Sequence, residues 1–244
     1  MKILTIENST YDIDCVPDEI EDVRYCVFDV FDKAGVLLGI ITVDDVVDVI
    51  RDEAEDSVLN MAGLNKEDDI FAPIIQSTKR RTVWLGANLL TAILAAAAIG
   101  IFEATIEKVV ALAILMPIVA SMGGIAGMQS LALVIRSQAT NQIGESNSRL
   151  LIIKESLIGV LNGILWSSIV AVAVYLWFDS VFLGTVIASA LMINLIIGAI
   201  SGVSLPLILK KMDIDPALAG GVILTTITDI VGFVSLLGVA TIIM

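Results

Sequence analysis

No histidine occurs in the 244 residues. That removes imidazole acid–base catalysis, Ser–His and Cys–His nucleophile pairs and imidazole metal ligation. Cysteine is nearly absent too: Cys15 and Cys26 are the whole set. Two thiolates fall short of a structural zinc site, and a cytoplasmic setting would keep them reduced. Basic residues are scarce, with 14 Lys and Arg against 27 Asp and Glu and a formal net charge of −13. Such a balance disfavours nucleic acid and anionic lipid headgroups as partners and favours cations. The opening MKILTIENSTYD lacks the basic-then-apolar run of a signal peptide, so no cleaved leader is expected.

What the sequence has in abundance is apolar length. It is 57% hydrophobic with a mean hydropathy of +0.93, too apolar for a soluble domain. The charge is unevenly placed: residues 1–82 hold 8 basic and 19 acidic residues, whereas residues 83–244 hold 6 and 8. An acidic head therefore precedes a nearly neutral membrane body. Five apolar stretches in that body reach the roughly 20 residues that a helix needs to cross a bilayer core. They run from about Val83 to Phe102, Val109 to Ile135, Leu157 to Phe178, Val181 to Leu209 and Ala217 to Met244. Lys79, Arg80 and Arg81, then Arg136, Arg149 and Lys154, then Lys210 and Lys211 fall on alternate connections. The excess of positive charge on cytoplasmic loops puts the head and those loops inside and the C-terminus outside a cell membrane. The expected fold class is mainly α, a polytopic membrane protein behind a small α/β head.

In the head, YCVFDVFDKAGVLLGIITVDDVVDVI alternates apolar and polar residues about a turn at Asp32–Gly35, then takes helical spacing after Thr42. The expected order is strand, turn, strand, and a helix from near Asp44. RDEAEDSVLNMAGL continues that helix to a stop at Gly63. Three domains follow from this division: residues 1–50, an acidic connecting helix and linker over 51–82, and a five-helix body over 83–244.

Three constellations carry chemistry. Asp229 is the only ionisable residue between Ala217 and Met244. It lies about 20 Å along its helix from Pro216, near mid-bilayer depth. Holding a carboxylate there costs ~2.5–3.5 kcal/mol even on mild insertion scales. One reading is a protonated acid hydrogen-bonded between helices as packing glue. The other is a carboxylate facing a water-filled path or a cation, with Thr225 and Thr226 on its face supplying oxygen. Oxygen-only surroundings suit hard cations such as Mg²⁺ or Ca²⁺. The second constellation is PIVASMGGIAGMQS, residues 117–130, where Pro117, Gly123, Gly124 and Gly127 permit either close helix approach or broken backbone. Beside a buried acid, broken backbone lining a cavity is the expectation. Gly198 and Gly202 have the spacing of plain helix packing, while Asn162 and Asn194 fit either interhelical glue or pore polarity. The third is the acidic run Asp44, Asp45, Asp48, Asp52, Glu53, Glu55 and Asp56. It reads as a solvated helix face or, beside a cation-handling body, as a contact that divalent ions bridge.

DPALAGGVILTTITDIVGF (215–233), PIVASMGGIAGMQS and GIITVDDVVDVIRDEAEDSVLNMAG (39–63) together resemble the MgtE family of magnesium channels, over about residues 25–244. The resemblance implies a homodimer with five spans per protomer and a pore on the two-fold axis lined by the second and fifth spans. It implies that Asp229 and its symmetry mate bind a largely hydrated Mg²⁺, with backbone oxygens near Gly221 and Thr225 completing a path past Gly123, Gly124, Gly127 and Thr226. The head then resembles the end of a second CBS motif and the start of a connecting plug helix, with Asp45, Asp48, Glu53 and Asp56 as regulatory ligands for Mg²⁺. The family's Gly-Gly-Asn reads Gly123-Gly124-Ile125 here, which bears on ion selectivity. The head holds too few residues for an N domain and two whole CBS motifs. Nucleotide binding is therefore not expected, and closure by cytosolic Mg²⁺ is expected to be weakened or lost.

The function expected is magnesium transport, not catalysis. The alternatives are a relative preferring Co²⁺ or Mn²⁺, an intramembrane aspartyl hydrolase built on two apposed Asp229 carboxylates, and a non-transporting scaffold. The chain offers no second mid-depth aspartate for a hydrolase. Coupled exchange would call for a second titrating site.

Overall fold

The computed structural model describes residues 13–16, 25–31, 37–64, 71–139 and 145–244. The chain divides into two compact units, residues 1–58 and 59–244.

In the first unit, strands β1 (Ile13–Val16), β2 (Tyr25–Phe31) and β3 (Leu37–Thr42) form an antiparallel sheet in that order. The register sets Cys15 opposite Cys26 and Phe28 opposite Ile41, with an irregularity at Val30/Phe31. Helix α1 (Val43–Met61) follows. The strand, strand, helix order read from the alternation is the order of β2, β3 and α1. β1 was not foreseen, because four residues hold too little alternation to register. The turn expected at Asp32–Gly35 lies outside the described residues.

The stop at Gly63 has a plain cause. Gly63 takes φ +72°, Leu64 N–H donates to the Leu59 carbonyl at 2.9 Å and Gly63 N–H to the Asn60 carbonyl at 2.9 Å. That pair of bonds closes a helix with a left-handed residue, the conformation glycine adopts without a Cβ penalty.

The second unit is helical: α2 (Ile74–Gly100), the short α3 (Glu103–Lys108), α4 (Ala111–Ala139), α5 (Glu145–Phe178), α6 (Val181–Lys211) and α7 (Pro216–Ile243). All but α3 are long and apolar enough to cross a membrane, so the five expected spans are five helices. Two of them begin earlier than hydropathy indicated. α2 already contains Lys79–Arg81 and α5 already contains Lys154 and Glu155. At 34 residues α5 is about 51 Å long, well beyond a ~30 Å hydrocarbon core, so its polar first turns extend past the apolar stretch.

α6 is the hub, packing against α4, α5 and α7, while α2 lies on α7. Lipid is as apolar as leucine, so helix association depends on close contact rather than on escape from water. Glycine supplies that contact. A methyl on Gly198 would lie 2.7 Å from the Gly123 carbonyl oxygen, and one on Gly202 would overlap the Gly127 carbonyl and sit 2.9 Å from Ser130 Cβ. Likewise a methyl on Gly159 of α5 would lie 2.8 Å from Ala199 Cβ of α6. Around these crossings two apolar clusters close: Leu112, Leu115, Val119, Ile187, Leu191, Leu236 and Leu237 at one end, and Leu131, Ile135, Ala217 and Leu224 at the other.

One expectation is overturned. α4 runs unbroken from Ala111 to Ala139 with Pro117 inside it. Gly123 and Gly127 serve close approach to α6 and Gly124 lines open space, all on regular helix, because a helix that keeps its internal hydrogen bonds avoids bare peptide groups in lipid.

The connections carry their own signals. Asp215 caps α7 by accepting from Ala217 N–H at 2.8 Å, with Pro216 at the first helical position. α6 ends with Asp213 at φ 56°, and Ile214 N–H donates to the Leu209 carbonyl at 3.0 Å. This is the closure seen at Gly63, made with a residue that takes the left-handed region at some cost.

Gly198→Val should therefore separate α4 from α6. The expected outcome is loss of folded protein, with an overpacking cost of about 1–3 kcal/mol or more, seen as a lower unfolding temperature in detergent. Unchanged thermal stability would show that the crossing does not hold the bundle.

Candidate functional site

Ten residues wall an open cavity of about 630 Å³ on one side of the bundle. α4 contributes Ala120, Ser121, Gly124, Ile125, Met128, Gln129 and Ala132; α7 contributes Thr225 and Asp229, and Met61 stands at the end of α1. Ser121, Ile125, Met128, Gln129 and Ala132 repeat at three- and four-residue steps, so they form one stripe of α4. Thr225 and Asp229, four apart, do the same on α7. The wall is mainly apolar, and Ile125 is 55% exposed on it.

Every threonine near Asp229 spends its hydroxyl on its own helix. Thr225 Oγ1 donates to the Gly221 and Val222 carbonyls, both at 3.1 Å, and Thr226 Oγ1 to the Val222 carbonyl at 2.7 Å. Thr228, fully buried, donates to the Leu224 and Thr225 carbonyls at 3.1 Å. A carbonyl has two lone pairs. With one in the helix ladder and one facing a hydroxyl, the Gly221 and Thr225 oxygens are free for a further ligand only when those hydroxyls turn away. Asp229 differs. Half-buried on the cavity wall, it has neither a hydrogen-bond nor an ion-pair partner among the described residues.

The cavity thus brings together Gly124, Thr225 and Asp229 from the residues singled out in the sequence. Gly123 faces the Asn194 side chain, Gly127 faces Leu224 and the Gly198 carbonyl, and Gly221 faces Met128. Thr226 is half-buried and is not part of the cavity wall. On α1, Asp48 is exposed and Asp56 half-buried, while the side chains of Asp45 and Glu53 lie outside the described residues. Among the described residues no three acidic or thiol groups gather as a metal cage.

Two polar groups are buried between helices, and the first escaped the sequence reading. Glu155 of α5, 6% exposed, accepts a hydrogen bond at 2.8 Å from Ser130 Oγ of α4, itself 4% exposed. Nothing marks Glu155 in sequence, since it follows Lys154 at what looks like the wet end of a span. Asn194 of α6 is fully buried and donates through Nδ2 to the Val119 carbonyl at 2.8 Å. Of its two readings, interhelical contact is the one the structure has. Asn60 Nδ2 donates to Asp215 Oδ2 at 3.0 Å, so the end of α1 is tied to the cap of α7.

The family model for MgtE, described as a divalent cation transporter, matches residues 116–239, just over half of the chain and all of the cavity except Met61. The chain belongs to the MgtE family. It is 35% identical over 222 residues to the magnesium transporter MgtE of Bacillus subtilis, covering 91% of this chain and 49% of that protein. The MgtE magnesium transporters of Enterococcus faecalis and Thermus thermophilus are 30% and 31% identical over 229 and 221 residues, covering 94% and 90% of this chain and 50% and 49% of theirs. The chain thus spans about half the length of the curated relatives it matches. Membership agrees with the resemblance carried by TTITDIVGF and the glycine-rich second span.

The Ser130–Glu155 pair is open to direct measurement. Ser130→Ala strips the buried acid of its donor and is expected to cost about 1–3 kcal/mol. A double-mutant cycle with Glu155→Met, which has no comparable acceptor, read by thermal unfolding, should return a clear coupling energy. Additive effects would mean that the hydrogen bond contributes nothing to the bundle.

Proposed function

We propose that this chain forms the membrane part of a divalent-cation conduit that passes Mg²⁺ into the cytosol, with Asp229 as its ion-binding carboxylate. The observation that carries the reading is the state of Asp229: the one ionisable group at mid-depth in α7, on the wall of an open cavity, without a side-chain partner among the described residues. A protonated acid serving as glue needs an acceptor on a neighbouring helix, and none meets it among the described residues. A carboxylate for a hydrated cation needs open space and water, and the cavity provides the space. Mg²⁺ keeps several waters and takes one or two carboxylates, so a lone Asp is a sufficient anchor where a cage of three acids is not.

The cavity is a half-wall. Its apolar stripe on α4 and its single acid on α7 are covered most simply by a second copy across a two-fold axis, which would bring two Asp229 side chains to one ion. Without a cation the two would repel; a divalent ion between them balances both charges. The Gly221 and Thr225 carbonyls join the path when their hydroxyl partners rotate. Ile125 puts an aliphatic side chain on the wall, so discrimination against Mn²⁺, Co²⁺ and Ca²⁺ falls to hydration and to Asp229. A negative-inside potential drives entry with ~2.3 kcal/mol per charge per 100 mV, doubled for a divalent ion.

In this reading the chain is a multi-pass protein of the cell membrane with a cytosolic N-terminus and an outer C-terminus. Residues 1–50 form a CBS-like segment, 51–82 the connecting helix and linker, and 83–244 the pore. Asp45, Asp48, Glu53 and Asp56 on α1 are the proposed regulatory contacts.

The test is Mg²⁺ flux into proteoliposomes for the wild type, Asp229→Ala and Asp229→Asn, with Mn²⁺, Co²⁺ and Ca²⁺ as competitors. Both variants should retain helicity and oligomeric state, and flux should fall by more than about tenfold, the equivalent of ~1.4 kcal/mol. Wild-type flux in Asp229→Asn would falsify the role given to the carboxylate.

A further inference from the structure

Behind the cavity wall, at the junction of α4, α6 and α7, sits Asn194. It is fully buried, its Nδ2 donates to the Val119 carbonyl at 2.8 Å, and its Oδ1 is buried with no donor among the described residues. Two glycines make room for it. A methyl on Gly123 of α4 would overlap the amide, and one on Gly232 of α7 would lie 2.8 Å from Nδ2 and 3.2 Å from Val119 Cγ1. The side chain is thus a wedge seated in two glycine notches, bonded to the backbone of α4 one turn before its notch.

Each notch adjoins the cavity. Gly123 precedes Gly124, which lines the wall, and Gly232 comes one turn after Asp229. A rotation or slide of α4 or α7 that changed how Gly124 and Asp229 face each other would have to expel the amide from one notch. An aliphatic side chain would leave no buried acceptor unmatched, which is the better choice for a position that only fills space. What asparagine adds is one directed bond, from α6 to the α4 backbone beside the glycine step.

We propose that Asn194 is a positioning residue for the ion path: it fixes the rotation of α4 and α7 against α6 so that the Gly124–Ile125 stripe and Asp229 share one cavity. The inference rests on the transport reading for its consequence, but its geometric content stands apart from it. Nothing assigns Asn194 to the cation itself; it acts through the two helices that wall the cavity.

Two substitutions separate positioning from packing. Asn194→Ala and Asn194→Leu bracket the volume of asparagine, and both remove the donor and the unmatched acceptor. Both are measured in two ways. Mg²⁺ flux per folded molecule, with Ca²⁺ and Mn²⁺ as competitors, reads the path. Labelling of Ile125→Cys by a water-soluble maleimide, in a Cys15→Ser/Cys26→Ser background, reads the orientation of α4 whether or not ions move. The expected result for both variants is a flux loss of about tenfold with altered competition, and a labelling rate shifted several-fold in the same direction. Both should show it in molecules that remain folded. Wild-type flux and labelling in a folded Asn194→Leu would reduce the residue to filler and overturn the proposal, as would losses that merely track unfolding. Should the unmodified protein carry no Mg²⁺, the failure belongs to the transport reading. The labelling rates alone then decide Asn194: a shift supports positioning, and none refutes it.

Discussion

The structure depends on one contact made without side chains: the passage of α6 across α4, where Gly198 and Gly202 lie directly on the backbone at Gly123 and Gly127. Water exclusion gives no reason for two apolar helices to associate in lipid, so the number and closeness of atomic contacts must do so. A pair of glycine notches brings main chain to main chain, the closest approach two helices can make. From that distance Asn194 can reach the Val119 carbonyl, Ser130 can reach Glu155, and Leu224 can fill the space beside Gly127. Wider separation would strand both polar groups in hydrocarbon, where an unmade hydrogen bond is costly. Packing and polar pairing here are one constraint.

The number of spans was legible because length and hydropathy suffice for it, and Asp229 because a lone acid in 28 apolar residues is conspicuous. The start of α2 was not legible and that of α5 only in part, through the apolar LLII at 150–153, since a helix continues through charged residues once it leaves the bilayer while the hydropathy signal stops there. The roles of the glycines were ambiguous for a deeper reason. Gly123, Gly124 and Gly127 are one motif in sequence, but at about 100° per residue they address different neighbours. Gly123 receives an asparagine, Gly127 a leucine and a carbonyl, and Gly124 the cavity. Glu155 was hidden by its neighbour Lys154. One is exposed and the other buried, and only the third dimension tells them apart.

The polar groups of the body resolve into two populations, and the division bears on what the cavity is for. Threonine and serine hydroxyls return to carbonyls of their own helix: Thr225, Thr226 and Thr228 on α7, Ser156 and Ser168 on α5, Ser189 on α6. Such bonds satisfy a group locally and ask nothing of the surroundings. Ser130 with Glu155 and Asn194 with Val119 reach across helices and fix their relation. Asp229 falls in neither population. Its carboxylate accepts nothing from its own turn and meets no neighbouring helix among the described residues, while facing the open cavity that α4 and α7 line. The hydroxyls of Thr225, Thr226 and Thr228 point back along α7 instead. Around the acid the wall is mainly apolar, with Ser121, Gln129 and Thr225 as its other polar side chains, so what Asp229 meets among the described residues is the cavity and not a neighbouring helix.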